Sequence, residues 1–415
     1  MNYSTNKNFA IEQDLNDTLK GYRDKFFIPK NKEGKEQIYF CGNSLGLQPK
    51  TVRAYVEQEL KDWELMGIEG VTHARNPWLP YHEFLTKQAA HLVGAKESEV
   101  VNMNTLSVNL HLMMVSFYRP TAERNKIFIE GTAFPSDQYA VKSQLRFHGY
   151  DENSLIEIFP KQGDTYIKTE DILSIIENEG GKIALIMFAG VNYYTGQLFD
   201  LQKITEAGHK KGCLVGFDLA HAAGNIDVQL HDWNIDFAVW CNYKYVNGGP
   251  GAIAGAFVHE RHHADKNIPR FEGWWGNDKQ TRFLMRPDFV PIPTVESWQL
   301  SNPPILQLAS LKASLDIFEE AGIKNLRAKS KTLTGYLEYL IRENGLLDKL
   351  EILTPSDPEQ RGCQLSLRFL RNGREVFNKL IASDVICDWR EPDVIRIAPT
   401  PLYNRFEEVW EFIEI

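Results

Sequence analysis

The stretch KIALIMFAGVNYYTGQLFDLQKITEAGHKKGCLVGFDLAH, residues 182–221, decides the fold class. It opens on an unbroken apolar run, passes a turn, and continues into LQKITEAGHKK, where apolar residues recur at helical spacing. Cations crowd the last turn of that segment and Gly212 follows it, as at a helix C-terminus. A second apolar run, CLVGFDLAH, comes next. Near-continuous apolar strands separated by a helix indicate a largely parallel sheet covered on both faces.

The flanks repeat the pattern. KIFIEG reads as a strand and PSDQYAVKSQLRFHG after it as a helix; TEDILSIIENEGG is a helix closed by glycines; DFAVWCN and GAIAGAFV are further apolar strands. Beyond residue 300 the texture changes. SNPPILQLASLKASLDIFEEAG reads as a long helix, with Ser301 or Asn302 as its cap, prolines in its first turn and Gly322 at its end. QLSLRFL and VIRIAP then read as strands beside helical REVFNKLIAS and FEEVWEFI. The expected organisation is a large α/β domain over residues 66–300 and a smaller α/β domain over 301–415, joined by residues 1–65.

The 415 residues are 43% hydrophobic, enough for a large core, and the net charge of −9 argues against nucleic acid or an anionic membrane as the main partner. No apolar run reaches the length of a membrane span, and the N-terminus lacks the apolar core of a signal peptide. Five scattered cysteines without a CxxC pair read as reduced thiols in a cytoplasmic protein.

In such sheets ligands bind at the carboxyl ends of strands. Asp218 and His221 close CLVGFDLAH, Lys244 follows DFAVWCNY, and Ser107 lies near the start of the helix-like NTLSVNLHLMM. Together they suit pyridoxal phosphate. Its aldehyde requires a lysine amine for a Schiff base, its ring nitrogen a carboxylate, and its phosphate the N–H groups of a helix N-terminus. Its ring wants an apolar neighbour, and Phe134 in TAFPSD is placed at another strand end. The interval from Asp218 to Lys244 is one βαβ-sized step, so the two can sit on neighbouring strands, and the glycines of GGPG let the chain turn tightly there.

Taken singly, each residue has a plainer reading. A lysine after a strand is usually solvated, Asp218 suits a turn, His221 suits a structural role, Phe134 suits the core and Ser107 suits a helix cap. The conjunction carries the weight. HERHH, with His259 and His263, fits the H-E-x-x-H pattern of zinc hydrolases, but that pattern needs a helix and here it leaves a strand.

The chain resembles the kynureninase family. The resemblance rests on FCGNSLGLQPK, NTLSVNLHLMMVSFY, AFPSDQYA, VNYYTGQLFD, GFDLAHAAGN, WCNYKYVNGGPG, GWWGND, SNPPI and RIAPTPLYN, in that order over nearly the whole chain. GNSLG and SNPP set it apart from the cysteine desulfurases, which share the fold and for which Cys363 would be the tempting nucleophile. That residue reads as entering a strand, hence buried and inert.

The resemblance implies a fold-type-I pyridoxal-phosphate enzyme, a homodimer with sites at the subunit interface, hydrolysing L-kynurenine or its 3-hydroxy form to alanine and anthranilate or 3-hydroxyanthranilate. It implies Lys244 as the Schiff-base lysine, Asp218 as partner of the pyridinium, and His221 close to the cofactor. Phe134 would stack on the ring within the cofactor-binding segment Pro135, Ser136 and Asp137. Leu106, Ser107 and Tyr243 fall at phosphate-side positions, with Tyr243 also a proton donor. Trp274 and Asn302 match cofactor or substrate contacts near the interface, Trp275 a substrate contact, and Arg396 the clamp for the α-carboxylate. No metal is implied. Three departures stand out: Ala189 where a hydroxyl residue is common, Trp275 where phenylalanine is common, and GIEGVTHARNPW in place of the usual substrate-loop wording.

Overall fold

The computed structural model describes residues 2–415. A short strand β1 (Ile38–Tyr39) precedes a seven-stranded sheet built from β2 (Val100–Asn102), β3 (Lys126–Glu130), β4 (Leu155–Ile158), β5 (Ile183–Ala189), β6 (Leu214–Asp218), β7 (Phe237–Trp240) and β8 (Gly255–Val258), in the order β2-β8-β7-β6-β5-β3-β4. The pairings from β4 across to β7 are all parallel. β8 runs antiparallel to both its neighbours, which sequence cannot reveal in an apolar strand.

Both faces of this sheet are buried. Along β5, Ile186 and Phe188 join one apolar core while Leu185 and Met187 join the other. That two-sided burial is why the strand carries no polar alternation. The helix Leu201–Lys210 behaves as its spacing predicts. Asp200 caps it by accepting from the Lys203 N–H (3.0 Å), and Gly212 leaves it at φ 77°. The crossover from β6 to β7, residues 219–236, has the length of a βαβ connection but consists of turns without an α-helix.

The small domain holds a four-stranded antiparallel sheet of β9 (Leu350–Ile352), β10 (Leu365–Phe369), β12 (Asp388–Arg390) and β13 (Val394–Ile397). A further short strand, β11 (Val385–Ile386), pairs in parallel with β1, so the N-terminal segment is stitched into this domain. The helix near residue 300 begins later than expected, at Ile305. Pro304 occupies the cap position without a side-chain hydrogen bond, and neither Ser301 nor Asn302 caps it. Gly322, at φ 74°, ends it as expected and opens the helix Ile323–Glu343, which was not expected. The division expected at residue 300 falls before a helix whose Leu308, Leu311 and Leu315 pack into the large sheet's core. In the helix that follows, Leu333, Leu337 and Leu340 pack into the small domain. Among the described residues, no helix is long and apolar enough to cross a membrane.

Candidate active site

A cleft opens at the carboxyl ends of β3, β5, β6 and β7. Leu106, Ser107, Phe134, Ser136, Asp137, Asp218, His221, Tyr243 and Lys244 line it, as do Glu130, Ala189, Val191, Tyr193 and Ala220. Lys244 lies four residues beyond β7, and Asp218 is the last residue of the adjacent parallel strand, paired in register with Val239. Lys244 Nζ stands 3.1 Å from His221 Nε2, 5.9 Å from the centre of the Phe134 ring and 5.7 Å from that of Tyr243. Phe134 does not end a strand. β3 stops at Glu130, and Phe134 is the cap residue of the helix Pro135–Phe147, with Pro135 in its first position. Its ring meets Tyr193 edge to face at 5.1 Å.

Two helix N-termini converge here. Ser107, in the first turn of Leu106–Phe117, and Ser136, in the first turn of Pro135–Phe147, have their hydroxyls 2.9 Å apart. First-turn N–H groups have no acceptor within their helix, and both helix dipoles present their positive ends.

The electrostatics are those of three carboxyls around one amine. Burial pushes the Asp137 carboxyl well up, and the neighbouring Asp218 and Glu130 add to it. Burial raises Asp218 too, but the Lys244 charge opposes the rise, and the Ala220 N–H (2.7 Å) supports its ionised form. Burial carries Glu130 up to about 8, although its two oxygens accept from the Ala189 N–H at 3.1 and 3.3 Å. His221 goes the other way: burial, then the charges of Lys244 and Arg396, hold it well below the usual imidazole range, so its ring is neutral. Burial raises the Tyr243 phenol, with Cys241 adding to the shift, and it remains protonated.

These residues fit pyridoxal phosphate. Among the described residues, Asp137 Oδ1 and His221 Nδ1 are buried without a hydrogen-bond partner, which is costly unless a further group satisfies them. An amine, two buried carboxyls, an aromatic face and two helix N-termini meet around these two atoms. Gly46 ties the N-terminal segment to the same place. Its N–H donates to the Tyr243 carbonyl (2.8 Å), and a side chain there would collide with the Lys244 carbonyl and Asn247.

Not every expected residue reaches the cleft. Arg396 adjoins it through the Tyr193 carbonyl, to which its Nη1–H donates at 2.7 Å. Trp274 and Asn302 do not line it and are solvent-exposed on this chain. Trp275, expected to touch substrate, is instead 3% exposed beneath the Arg282 guanidinium, 4.5 Å from its ring. The zinc pattern fails on geometry: Glu260–His262 is a single 3₁₀ turn. His259 Nδ1 caps it by accepting from Arg261 N–H, and His263 Nε2 lies 2.9 Å from the Val258 carbonyl. Cys363 is fully buried, and burial pushes its thiol up to about 12, which removes it as a nucleophile. Glu130, Val191, Tyr193 and Ala220 were not anticipated. Glu130 had a readable signal, since a carboxylate closing an apolar strand is the feature that marked Asp218.

A largely parallel sheet with an amine and a carboxylate at adjacent strand ends defines the fold-type-I class of pyridoxal-phosphate enzymes. Solved structures agree on the fold. A cysteine desulfurase from Thermococcus onnurineus superposes with a TM-score of 0.75 at 18% identity, covering 91% of this chain and 93% of that one. A cystine C-S lyase in complex with cysteine persulfide gives 0.76 at 15%, covering 91% and 96%. Within that class the chain belongs to the kynureninase family. It is 56% identical to the kynureninase of Koribacter versatilis, covering 99% of this chain and 97% of the relative. It is 57% identical to that of Myxococcus xanthus, over 99% and 97%, and 51% identical to that of Nematostella vectensis, over 99% and 93%. The family model for the kynureninase C-terminal domain matches residues 326–415.

Proposed function

We propose that this chain hydrolyses L-kynurenine, and its 3-hydroxy form, to L-alanine and the corresponding anthranilate, within tryptophan catabolism or NAD biosynthesis. The observation that carries the reading is the Lys244 amine beside a neutral His221 at 3.1 Å, one strand away from Asp218, in a chain that is kynureninase-like from end to end. Lys244 would hold the cofactor's aldehyde carbon. Ser107, Ser136 and the two helix N-termini would hold its phosphate, Phe134 would cover its ring, and Asp218 would keep its ring nitrogen protonated. When bound, pyridoxal phosphate supplies an electron sink for negative charge that develops on the substrate.

The residues around it do the rest. Lys244 is the base that would move the proton at the substrate α-carbon. His221, neutral and accepting, orients that amine. Arg396 binds the α-carboxylate. In the overall change, water adds at the γ-carbonyl carbon, the Cβ–Cγ bond breaks, and a proton returns to Cβ. The Tyr243 phenol is protonated at neutral pH and suits delivery of that proton.

Exposed apolar residues support a homodimer. Trp63, Leu65 and Ile68, and then Phe283, Leu284 and Met285, form two surface groups of the kind that protein contacts cover. Exposed Trp274 and Asn302 would then serve the partner's cleft, and we read the chain as a large cofactor-binding domain and a small C-terminal domain closing over that shared site. Five free thiols suit a reducing cytoplasm. The test is direct. Protein loaded with pyridoxal phosphate should release fluorescent anthranilate from L-kynurenine, and Lys244→Ala should lose both turnover and the visible absorbance of the bound cofactor. Absorbance without anthranilate release would leave the class standing and refute the substrate.

A further inference from the structure

Arg396 is buried where the small domain meets the cleft, and protein acceptors already hold both ends of its guanidinium fork. Nη1–H donates to the Tyr193 carbonyl at 2.7 Å. Nη2–H donates to Ser44 Oγ at 3.1 Å and to Asp388 Oδ2. Nε has no hydrogen-bond partner among the described residues. Asp388 faces Arg396 directly across the β12–β13 ladder. The same Oδ2 accepts from the Ser44 hydroxyl and, at 3.1 Å, from Arg390 Nη2. Its side chain is 11% exposed and that of Arg396 1%, so this pair is almost dry, while Arg390, 37% exposed, reaches the same carboxylate from the surface.

An arginine has many rotamers, and binding a carboxylate in one geometry costs the entropy of choosing among them. Here the choice is made beforehand. Asp388 offsets the burial of Arg396 and the repulsion between Arg390 and Arg396. Ser44 belongs to the loop that also supplies Gly46, whose N–H is bonded to the Tyr243 carbonyl at 2.8 Å, so the junction is tied to the peptide that precedes Lys244.

We infer that Asp388, with Ser44, is a positioning residue for substrate. It fixes the Arg396 guanidinium in one orientation beside the cleft, where it would meet an incoming α-carboxylate. This rests on the reading of Arg396 as the carboxylate clamp. The role is preorganisation of binding, so its loss should appear in KM more than in kcat.

The experiment uses the cofactor-loaded enzyme and compares Asp388→Ala, Asp388→Asn, Ser44→Ala and Arg396→Lys. Each is assayed with L-kynurenine, and with a competitive inhibitor that is the same amino ketone carrying hydrogen in place of the α-carboxylate. Asp388→Ala should raise KM about tenfold or more, lower kcat by less than about threefold, and leave the Ki of the carboxylate-free inhibitor within about twofold. Asp388→Asn keeps an acceptor oxygen and should recover most of the KM; Ser44→Ala should fall between. If Asp388→Ala does not fold, the asparagine and Ser44 variants carry the same comparison. Unchanged KM in the Asp388 and Ser44 variants, with KM raised in Arg396→Lys, overturns the inference and keeps the clamp. Unchanged KM in Arg396→Lys overturns the clamp itself. Equal rises in KM and in the Ki of the carboxylate-free inhibitor mean general damage, and also overturn the inference.

Discussion

Lys244 and His221 follow neighbouring parallel strands, and their side chains meet at 3.1 Å, Nζ to Nε2. Burial keeps the imidazole neutral, so the contact is an amine hydrogen donated to a nitrogen lone pair rather than a clash of two cations. Replacing His221 with phenylalanine preserves the ring's bulk and removes the acceptor. The expected result is a fall in kcat/KM of about 10- to 100-fold, or roughly 1.4–2.7 kcal/mol of transition-state stabilisation. Steady-state anthranilate release measures it, and a variant within twofold of wild type would show that the contact orients nothing.

Glu130 gives a pH signature. Its carboxyl titrates near 8 in the folded protein because it is buried, against about 4.3 in an unfolded chain. Between those values the folded state holds a proton that the unfolded state has lost. Stability is therefore fullest below the unfolded value and falls as pH rises, by an amount of the order of a few kcal/mol across the window. Glu130→Gln is neutral throughout and keeps an oxygen for the Ala189 N–H. Its melting temperature in the cofactor-free protein should gain on wild type steadily from pH 5 to pH 8. A constant difference over that range would contradict the assignment.

Asp236 has the opposite sign. Burial alone would raise it, but hydrogen bonds from His209 (2.9 Å) and His262 (2.8 Å), with the Arg261 charge, hold it well below the ordinary carboxylate range. The Val215 N–H also donates to it at 2.7 Å. Its contribution is present above the unfolded value of about 3.9 and is lost as pH falls through the lower folded value. Asp236→Ala leaves those donors facing a void and should cost about 3–5 kcal/mol by urea denaturation at neutral pH. Asp236→Asn should cost less, about 1–3 kcal/mol, because one acceptor survives.

Legibility followed the range of the interactions. β5 is apolar at every position, and β6 up to Asp218 at its end, because both sheet faces are covered, and a local window displays that directly. The same is true of the cation-rich last turn and glycine stop of Leu201–Lys210. The antiparallel direction of β8 leaves no mark on an apolar strand, since both directions bury the same side chains. Ser301 and Asn302 looked like caps by residue type, yet Pro303 and Pro304 keep the chain extended before the helix starts at Ile305. Glu130 was readable by the logic that found Asp218. The Ser44–Asp388–Arg396 junction was not, because Ser44 and Arg396 lie 352 residues apart and only the folded chain brings them together. Trp274 and Asn302 were singled out through family motifs, and a single chain leaves both outside the cleft.

That last pair decides whether the site is shared between subunits. If Trp274 and Asn302 serve the partner's cleft while Lys244 serves its own, two inactive variants can complement. Lys244→Ala mixed with Asn302→Ala, dissociated and allowed to reassociate, gives heterodimers in which one site carries both defects and the other carries none. Random pairing at equal amounts makes half the dimers mixed and restores one site in each, so activity should recover to about a quarter of wild type. Trp274→Ala in place of Asn302→Ala should behave alike. Because Trp274 is half-exposed and Asn302 exposed on the isolated chain, neither substitution opens a core cavity, and folding is expected to be intact. Mixing two variants of the same class, Lys244→Ala with Asp218→Ala, should restore nothing, since both defects then fall in every mixed dimer on opposite sites. Recovery confined to the first kind of mixture identifies a site built by two chains; inactive Trp274 and Asn302 variants that fail to complement Lys244→Ala would mean that both residues serve their own chain's site.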